Sequence, residues 1–570
     1  MKMTLKIFLI FLSVSFTFPL RKTNSTDNPK SGEAWFIDNH TGKDTNPGTV
    51  RKPLRTIEEV NRRLQQAPAS IWFAGGQVFN GNLLLNGISG TESVPVCIGS
   101  YGKVKAVING GEKEAIRAED CRFLRIENID LKGDGRKNGN ISNGLSLTHC
   151  KNVTIEDIRS EGFQKSGVDL YDCRNAEIIK VMAYDNGFCG INIMGSDKKL
   201  SGSILISDCR AENNPGDPTR LDNHSGNGIL VGVSDSVVID HCTATNNGWD
   251  MPRQGNGPVG IWAWMSDNVT IQYCISYRNK TSKGGKDGGG FDLDGGVTNS
   301  VIQYCLSYEN EGAGYGLFQY PGAASWSNNV IRYCLSIDDA HTTEGAGSFF
   351  IWNGSDDSRQ LNSCYIHNNI VYSSSAPVIS FENASDHENF IFSNNIFMGT
   401  GQLISGANKG SKFLGNVWWT SGGEVIFGEF ASLAEWAGAT GQETMNGKIA
   451  GLQSDPLLNG PLTTSITDPY QLGTLSGFKL KAESPLKDRG VRILTVPGID
   501  PPSVDFFGNP LPRDSAPMPG IYEMEQALVR FGRLVAIPNF VRNNRNTIKS
   551  TYSPEQQDPN EGSVVWVRKQ

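Results

Sequence analysis

Residues 204–209 read ILISDC, and the same short pattern returns as VVIDHC at 237–242, VTIQYC at 269–274, SVIQYC at 300–305 and NVIRYC at 329–334. Each is an apolar-alternating run closed by a cysteine. Cys209, Cys242, Cys274, Cys305, Cys334 and Cys364 follow one another at intervals of 33, 32, 31, 29 and 30 residues. A fixed period of this length is an internal repeat in which one position is stacked coil upon coil. A cysteine repeated this way, with no CxxC spacing beside it, reads as a column of buried thiols behaving as small hydrophobes, and not as disulfides or a metal site.

Aligning the repeats brings out a second run in each, opened by glycine: GVDLY from Gly167, GINIM from Gly190, GILVG from Gly228, GIWAW from Gly260, GFDLD from Gly290 and GYGLF from Gly314. Their period of two is that of a half-buried strand. Starts 23 residues apart at the closest show how short a coil can be. Longer coils carry their extra residues after the corners ENN (212–214), TNN (245–247) and YRN (277–279) and before the glycine-led strand, so loops wall one face. Asparagine suits such corners because it tolerates the left-handed conformation. A coil of two or three short strands cannot bury its apolar side alone, but stacked coils make a continuous core, which is the parallel β-helix solution. The expected fold is all-β, a right-handed single-stranded parallel β-helix.

Composition agrees. Of 570 residues, 38% are hydrophobic and 19% charged, with 65 glycines, a turn-rich β composition. The net charge of -7 and the absence of a basic stripe with interleaved aromatics exclude nucleic acid as a partner. The start, MKMTLKIFLIFLSVSFTFPLRK, has two lysines before an apolar stretch of signal-peptide length, so residues 1–20 are expected to direct secretion. No later run reaches the ~18 unbroken apolar residues of a membrane span. Residues 429–442, EFASLAEWAGATGQ, are the best short helix, and the chain beyond Glu525 turns basic and apolar, so 525–570 is set apart as a tail without an assigned role. The reading gives a monomer.

Three stretches carry a family resemblance: WFIDNHTGKDTNPGTVRKPLRTIEEV at 35–60, the coils above, and FKLKAESPLKDRG (478–490) with DFFGNPLPRDSAPMPGIYE (505–523). Over residues 34–524 the chain resembles secreted right-handed parallel β-helix proteins of the pectate lyase-like superfamily. The resemblance implies a carbohydrate-active protein, since that superfamily holds polysaccharide lyases, glycoside hydrolases, uronan epimerases and tail-spike-like binders. It does not select among them.

In a glycine-led strand the first and third residues after glycine share one face, and the second and fourth the other. Val168/Leu170, Ile191/Ile193, Ile229/Val231, Ile261/Ala263, Phe291/Leu293 and Tyr315/Leu317 are then core. Facing outward are Trp262/Trp264 and, one strand spacing of ~4.8 Å away, Asp292/Asp294, all four expected to be exposed. Sugars stack on aromatic rings and are cleaved between carboxylates, so Asp292 and Asp294 are the expected acid and base, with Glu311 of the next coil the substitute for one of them. Trp262 and Trp264 form the sugar platform. His224, His341 and Trp249 on the neighbouring loops line the groove. Lys286, in NKTSKGGKDGGG (279–290), is the base that an elimination would need. The primary expectation is a secreted glycoside hydrolase that needs no cofactor or metal, acting on a polysaccharide or oligosaccharide. The alternatives are a uronate lyase using Ca²⁺, and a binder without chemistry. DDGFD, the run that looks like a calcium-dependent uronate lyase, is matched only in part, because GGGFDLD lacks the acidic residues before phenylalanine apart from Asp287. No nucleophilic triad and no phosphate loop accompany these residues.

Overall fold

The computed structural model describes residues 34–524, apart from 66–68, 376, 384, 385, 407, 423–426, 513 and 514, together with the strand backbone at 552–557 and 564–568. The 1–20 segment lies outside the described residues, as does most of the tail beyond 524, where only the antiparallel pair Tyr552–Gln557 and Val564–Arg568 is described.

The glycine-led runs form a parallel sheet of 12 strands, and the cysteine-ended runs belong to a second sheet of 26 strands that makes the other two walls of the solenoid. Two long strands, Arg122–Gly133 and Lys151–Glu161, bend through the corner between those walls, with Asn128 and Asp157 at φ 50° and 55°. In later coils the same corner is sharp. The residue just before each cysteine, Asp208, His241, Tyr273, Tyr304 or Tyr333, takes φ between 50° and 56°. That conformation strains bulky side chains. Here the rings of His241, Tyr273, Tyr304 and Tyr333 stack coil on coil at centroid separations of 5.1, 5.0 and 5.8 Å, which offsets part of the cost. All eleven cysteines are free thiols, ten of them buried and Cys97 half-buried.

The other corner is held by polar side chains. In ENN and TNN the first asparagine, Asn213 or Asn246, takes the left-handed turn, and in YRN Arg278 does so. The second asparagine is buried. Asn186, Asn214, Asn247, Asn279 and Asn310 each donate from Nδ2 to the side-chain oxygen of the next, at 2.8–3.1 Å, and the column ends on Asp339. A second column, Asn369, Asn395 and Asn416, ends on Glu443. Each side chain thereby satisfies backbone groups that a buried corner would otherwise leave unpaired.

Both ends of the core are covered. The helix Ile57–Leu64, capped by Thr56 accepting from Glu59 N–H, buries Ile57, Val60 and Leu64. At the far end the helix Leu433–Thr440 places Trp436 against Phe427 and Phe413. Residues 472–521 return along the outside of one wall, packing Leu472, Phe478, Phe506 and Ile521 onto Tyr304, Tyr308 and Tyr333. Among the described residues no helix is long and apolar enough to cross a membrane.

Candidate active site

The strands Val259–Trp264, Gly289–Leu293 and Tyr315–Gln319 lie side by side in parallel, in a register that aligns Trp262, Asp292 and Gly316. Phe291 and Leu293 point into the core and are fully buried, so Asp292 and Asp294 lie on the outward face. The glycine run before them has a steric cause. Gly288 takes φ 79°, and a Cβ at Gly290 would collide with Ser307 and Asn310 of the next coil.

Outward does not mean exposed, and here the sequence expectation is corrected. Asp292 is only 3% exposed. A Cβ at Gly316 would lie 2.8 Å from the Phe318 ring and 3.1 Å from Asp292 Oδ1, so that glycine leaves the room in which Phe318 folds beside the aspartate. Asp292 Oδ1 is shut off from solvent and accepts no hydrogen bond. Burial first, then the charges of Asp294 and Asp287, push its carboxyl well above the usual range. Asp294, half-buried, accepts from Gly295 N–H at 2.7 Å, and burial outweighs that bond to bring it up to about 7. Asp287, half-buried at the end of the preceding loop, accepts from Gly257 N–H at 2.6 Å and is pushed up by burial to about 6, opposed by that bond and by Lys286 and Arg253. Three carboxyl groups thus share one field, and no lysine or arginine among the described residues forms an ion pair with any of them. Sequence reasoning left Asp287 outside the acid-base pair because a loop residue has no periodicity to place it.

The tryptophans are corrected in the same way. Trp262 is 4% exposed, donates from Nε1 to Asn227 Oδ1 at 3.1 Å, and meets the His224 ring edge-on at 5.0 Å. It packs with Leu230, Val259 and Cys189 as a small second core under the insertion loops, so it is a wall of the site and not an open platform. Burial, with Arg220 and Arg253 nearby, holds His224 down to about 3, and it is neutral. Trp264 is half-buried. Its indole lies over Gly232, where a Cβ would fall 2.5 Å from Nε1, beside Met194. Tyr320, which the sequence gave no reason to single out, lays its ring against Gly295, next to Asp294.

The remaining candidates are dispersed. Glu311 comes close to the Asp287 loop, its Cβ 3.4 Å from where a Cβ on Gly288 would stand, but its carboxylate turns to accept from Thr281 N–H at 2.9 Å. With Lys280, Glu309, Asp338 and His341 it lines a separate groove of about 670 Å³. The structure therefore does not join Glu311 or His341 to the aspartates. Lys286 is exposed. Trp249, 44% exposed, donates to Asn213 and lies under Arg136, on the side where Arg136 and Lys137 pair with Asp250. Among the described residues no group of three or more His, Cys, Asp and Glu side chains is arranged to hold a metal ion, so the three aspartates do not fit a calcium site.

Residues 35–333 match a family model described as the Pel9A-like, right handed beta helix region. No curated protein matches the chain. Among solved structures it is similar to the GH136 lacto-N-biosidase from Eubacterium ramulus, with 16% identity over 63% of this chain and 68% of that one, at a TM-score of 0.46. It is similar also to pectate lyase Pel9A, with 14% identity, 88% and 98% coverage and a TM-score of 0.40. The Azotobacter vinelandii mannuronan C-5 epimerase AlgE6 A-module is 13% identical, with 64% and 94% coverage and a TM-score of 0.45.

Proposed function

The chain belongs to the Pel9A-like right-handed β-helix family, and from that premise we propose that it is a secreted enzyme that hydrolyses a glycosidic bond of a polysaccharide at the Asp287, Asp292 and Asp294 cluster. The observation that carries this reading is three carboxyl groups in one field without a cationic partner, two of them reaching solvent. Glycoside hydrolysis needs one protonated and one ionised carboxyl group flanking the bond. With Asp287 at about 6 and Asp294 at about 7, the cluster near neutral pH holds an ionised Asp287, a partly protonated Asp294 and a neutral Asp292. Asp294 donates its proton to the leaving glycosidic oxygen, and Asp287 attacks the anomeric carbon or draws a proton from the attacking water. Asp292, enclosed by Phe318 and the strand, acts as a neutral positioning group. Trp264 and Tyr320 offer ring faces at the rim.

A second reading is elimination from a uronate. Two observations favour it: the family takes its description from Pel9A, a pectate lyase by its title, and Lys286 and Arg253 stand close enough to act on Asp287. One screen separates the readings. Plant, algal and host polysaccharides are incubated with the protein and assayed for new reducing ends and for ultraviolet absorbance of unsaturated uronates. Reducing ends without absorbance support hydrolysis, absorbance supports elimination, and binding with neither signal leaves a glycan-binding protein.

A further inference from the structure

On the outward face of another wall, far along the chain from the aspartate loop, one row of side chains reads Asp240, Gln272, Gln303, Arg332 and His367, aligned across five successive coils. Arg332 donates from Nε and Nη2 to Gln303 Oε1 at 2.9 and 2.7 Å, Gln303 Nε2 to Gln272 Oε1 at 2.8 Å, and Gln272 Nε2 to Asp240 Oδ1 at 3.0 Å. The amides are thus all oriented by the guanidinium at one end and the carboxylate at the other. Arg332 is 6% exposed, and no carboxylate among the described residues pairs with it. Asp500, exposed on the covering segment, acts on it only through space. Its Nη1 has no protein partner. A buried guanidinium with free N–H groups and no counter-ion is costly, so its retention calls for an anion.

A cavity of about 230 Å³ opens at that position. Arg332 and His367 form its polar end, and Val330, Val496, Ile499 and Leu511 supply apolar walls, the last three from the segment that covers this face. His367 bonds Asn368 Oδ1 through Nδ1, and burial holds it near 3, so it adds no charge. We propose that this cavity binds a small organic monocarboxylate, its carboxylate on the outer edge of Arg332 and its apolar body between Val330, Val496, Ile499 and Leu511. A planar guanidinium presents paired N–H groups that match a carboxylate. One positive charge among apolar walls matches a monoanion, whereas a phosphate or sulfate dianion would leave a charge buried without a partner. The site is independent of the proposed hydrolysis.

The test uses the full-length protein and calorimetric titration with benzoate, hexanoate, benzamide and inorganic sulfate. Benzoate or hexanoate binds saturably at one site, and benzamide, equal in shape but neutral, binds at least about ten-fold more weakly, the loss expected for a charge-assisted hydrogen bond. Arg332→Gln weakens benzoate by about 10- to 100-fold on the same scale, and Ile499→Trp blocks it while leaving the arginine in place. The proposal fails if neither carboxylate binds, if benzamide equals benzoate, if sulfate equals benzoate, or if Arg332→Gln leaves affinity unchanged. The comparison of benzoate with benzamide needs no variant, so it decides the matter even where Arg332→Gln does not fold.

Discussion

At the scale of single residues, the three aspartates differ in what surrounds them, and the differences give separable expectations. Asp294→Asn and Asp287→Asn each remove a proton-transfer group while keeping shape, and turnover on the glycan found by screening drops by about 10²- to 10⁴-fold, the usual worth of a positioned acid or base. A loss of only a few-fold in both would end the hydrolytic assignment. Activity follows a bell-shaped pH profile, rising as Asp287 ionises near 6 and falling as Asp294 loses its proton near 7. Asp292 has its own signature in stability. Its carboxyl is raised in the folded protein, so the native state holds a proton that the unfolded chain releases near the model-peptide value of 3.8. Stability from this group is complete below that pH and is lost as pH rises toward the folded value, at about 1.4 kcal/mol per pH unit. Asp292→Asn removes the dependence. The melting temperature of the variant relative to wild type therefore climbs between pH 4 and pH 8, and a gap that stays constant over that range refutes the buried, protonated state.

At the scale of elements, the strands are short and the corners determine how they stack. Asn247 accepts from the backbone and side-chain N–H groups of Asn214 and donates to Asn279 and to Ala211. Asn247→Ala strands several buried groups at once, and the stability loss is at least about 2 kcal/mol, since each orphaned group costs about 1–3 kcal/mol. Urea midpoints of the variant and wild type measure this. The apolar alternation and the cysteine period made these strands readable in the sequence, down to which residues enter the core. The corner asparagines were readable only as turn formers. That one of each pair makes the turn while the other extends a buried column depends on the coil above, which a local pattern does not contain.

At the scale of the whole molecule, the core is a stack of coils with a helix over each end, and its cysteines are free. In denaturant without reductant all eleven thiols react with a thiol reagent, whereas in the folded protein reaction begins with Cys97, the one that is not buried. Recovery of mostly oxidised cysteine would overturn the column. Deletion of residues 1–20 is expected to leave the β-helix folded and abolish export, because that segment carries no repeat; secretion of the truncated chain at wild-type levels contradicts the assignment.

The sequence by itself determined the solenoid, because a coil that cannot bury its own apolar face writes its period into every repeat. It determined as well that Asp292, Asp294, Trp262 and Trp264 share the outward face, since alternation along a strand is a local property. Only the tertiary structure decided what that face meets. Insertion loops bring His224 down on Trp262, the missing side chain at Gly316 admits Phe318 beside Asp292, and a left-handed turn at Gly288 delivers Asp287 to the pair while Glu311 turns away to Thr281. Burial and charge coupling are set by neighbours distant in the chain, and they make a surface row of carboxylates into a cluster that holds protons near neutral pH.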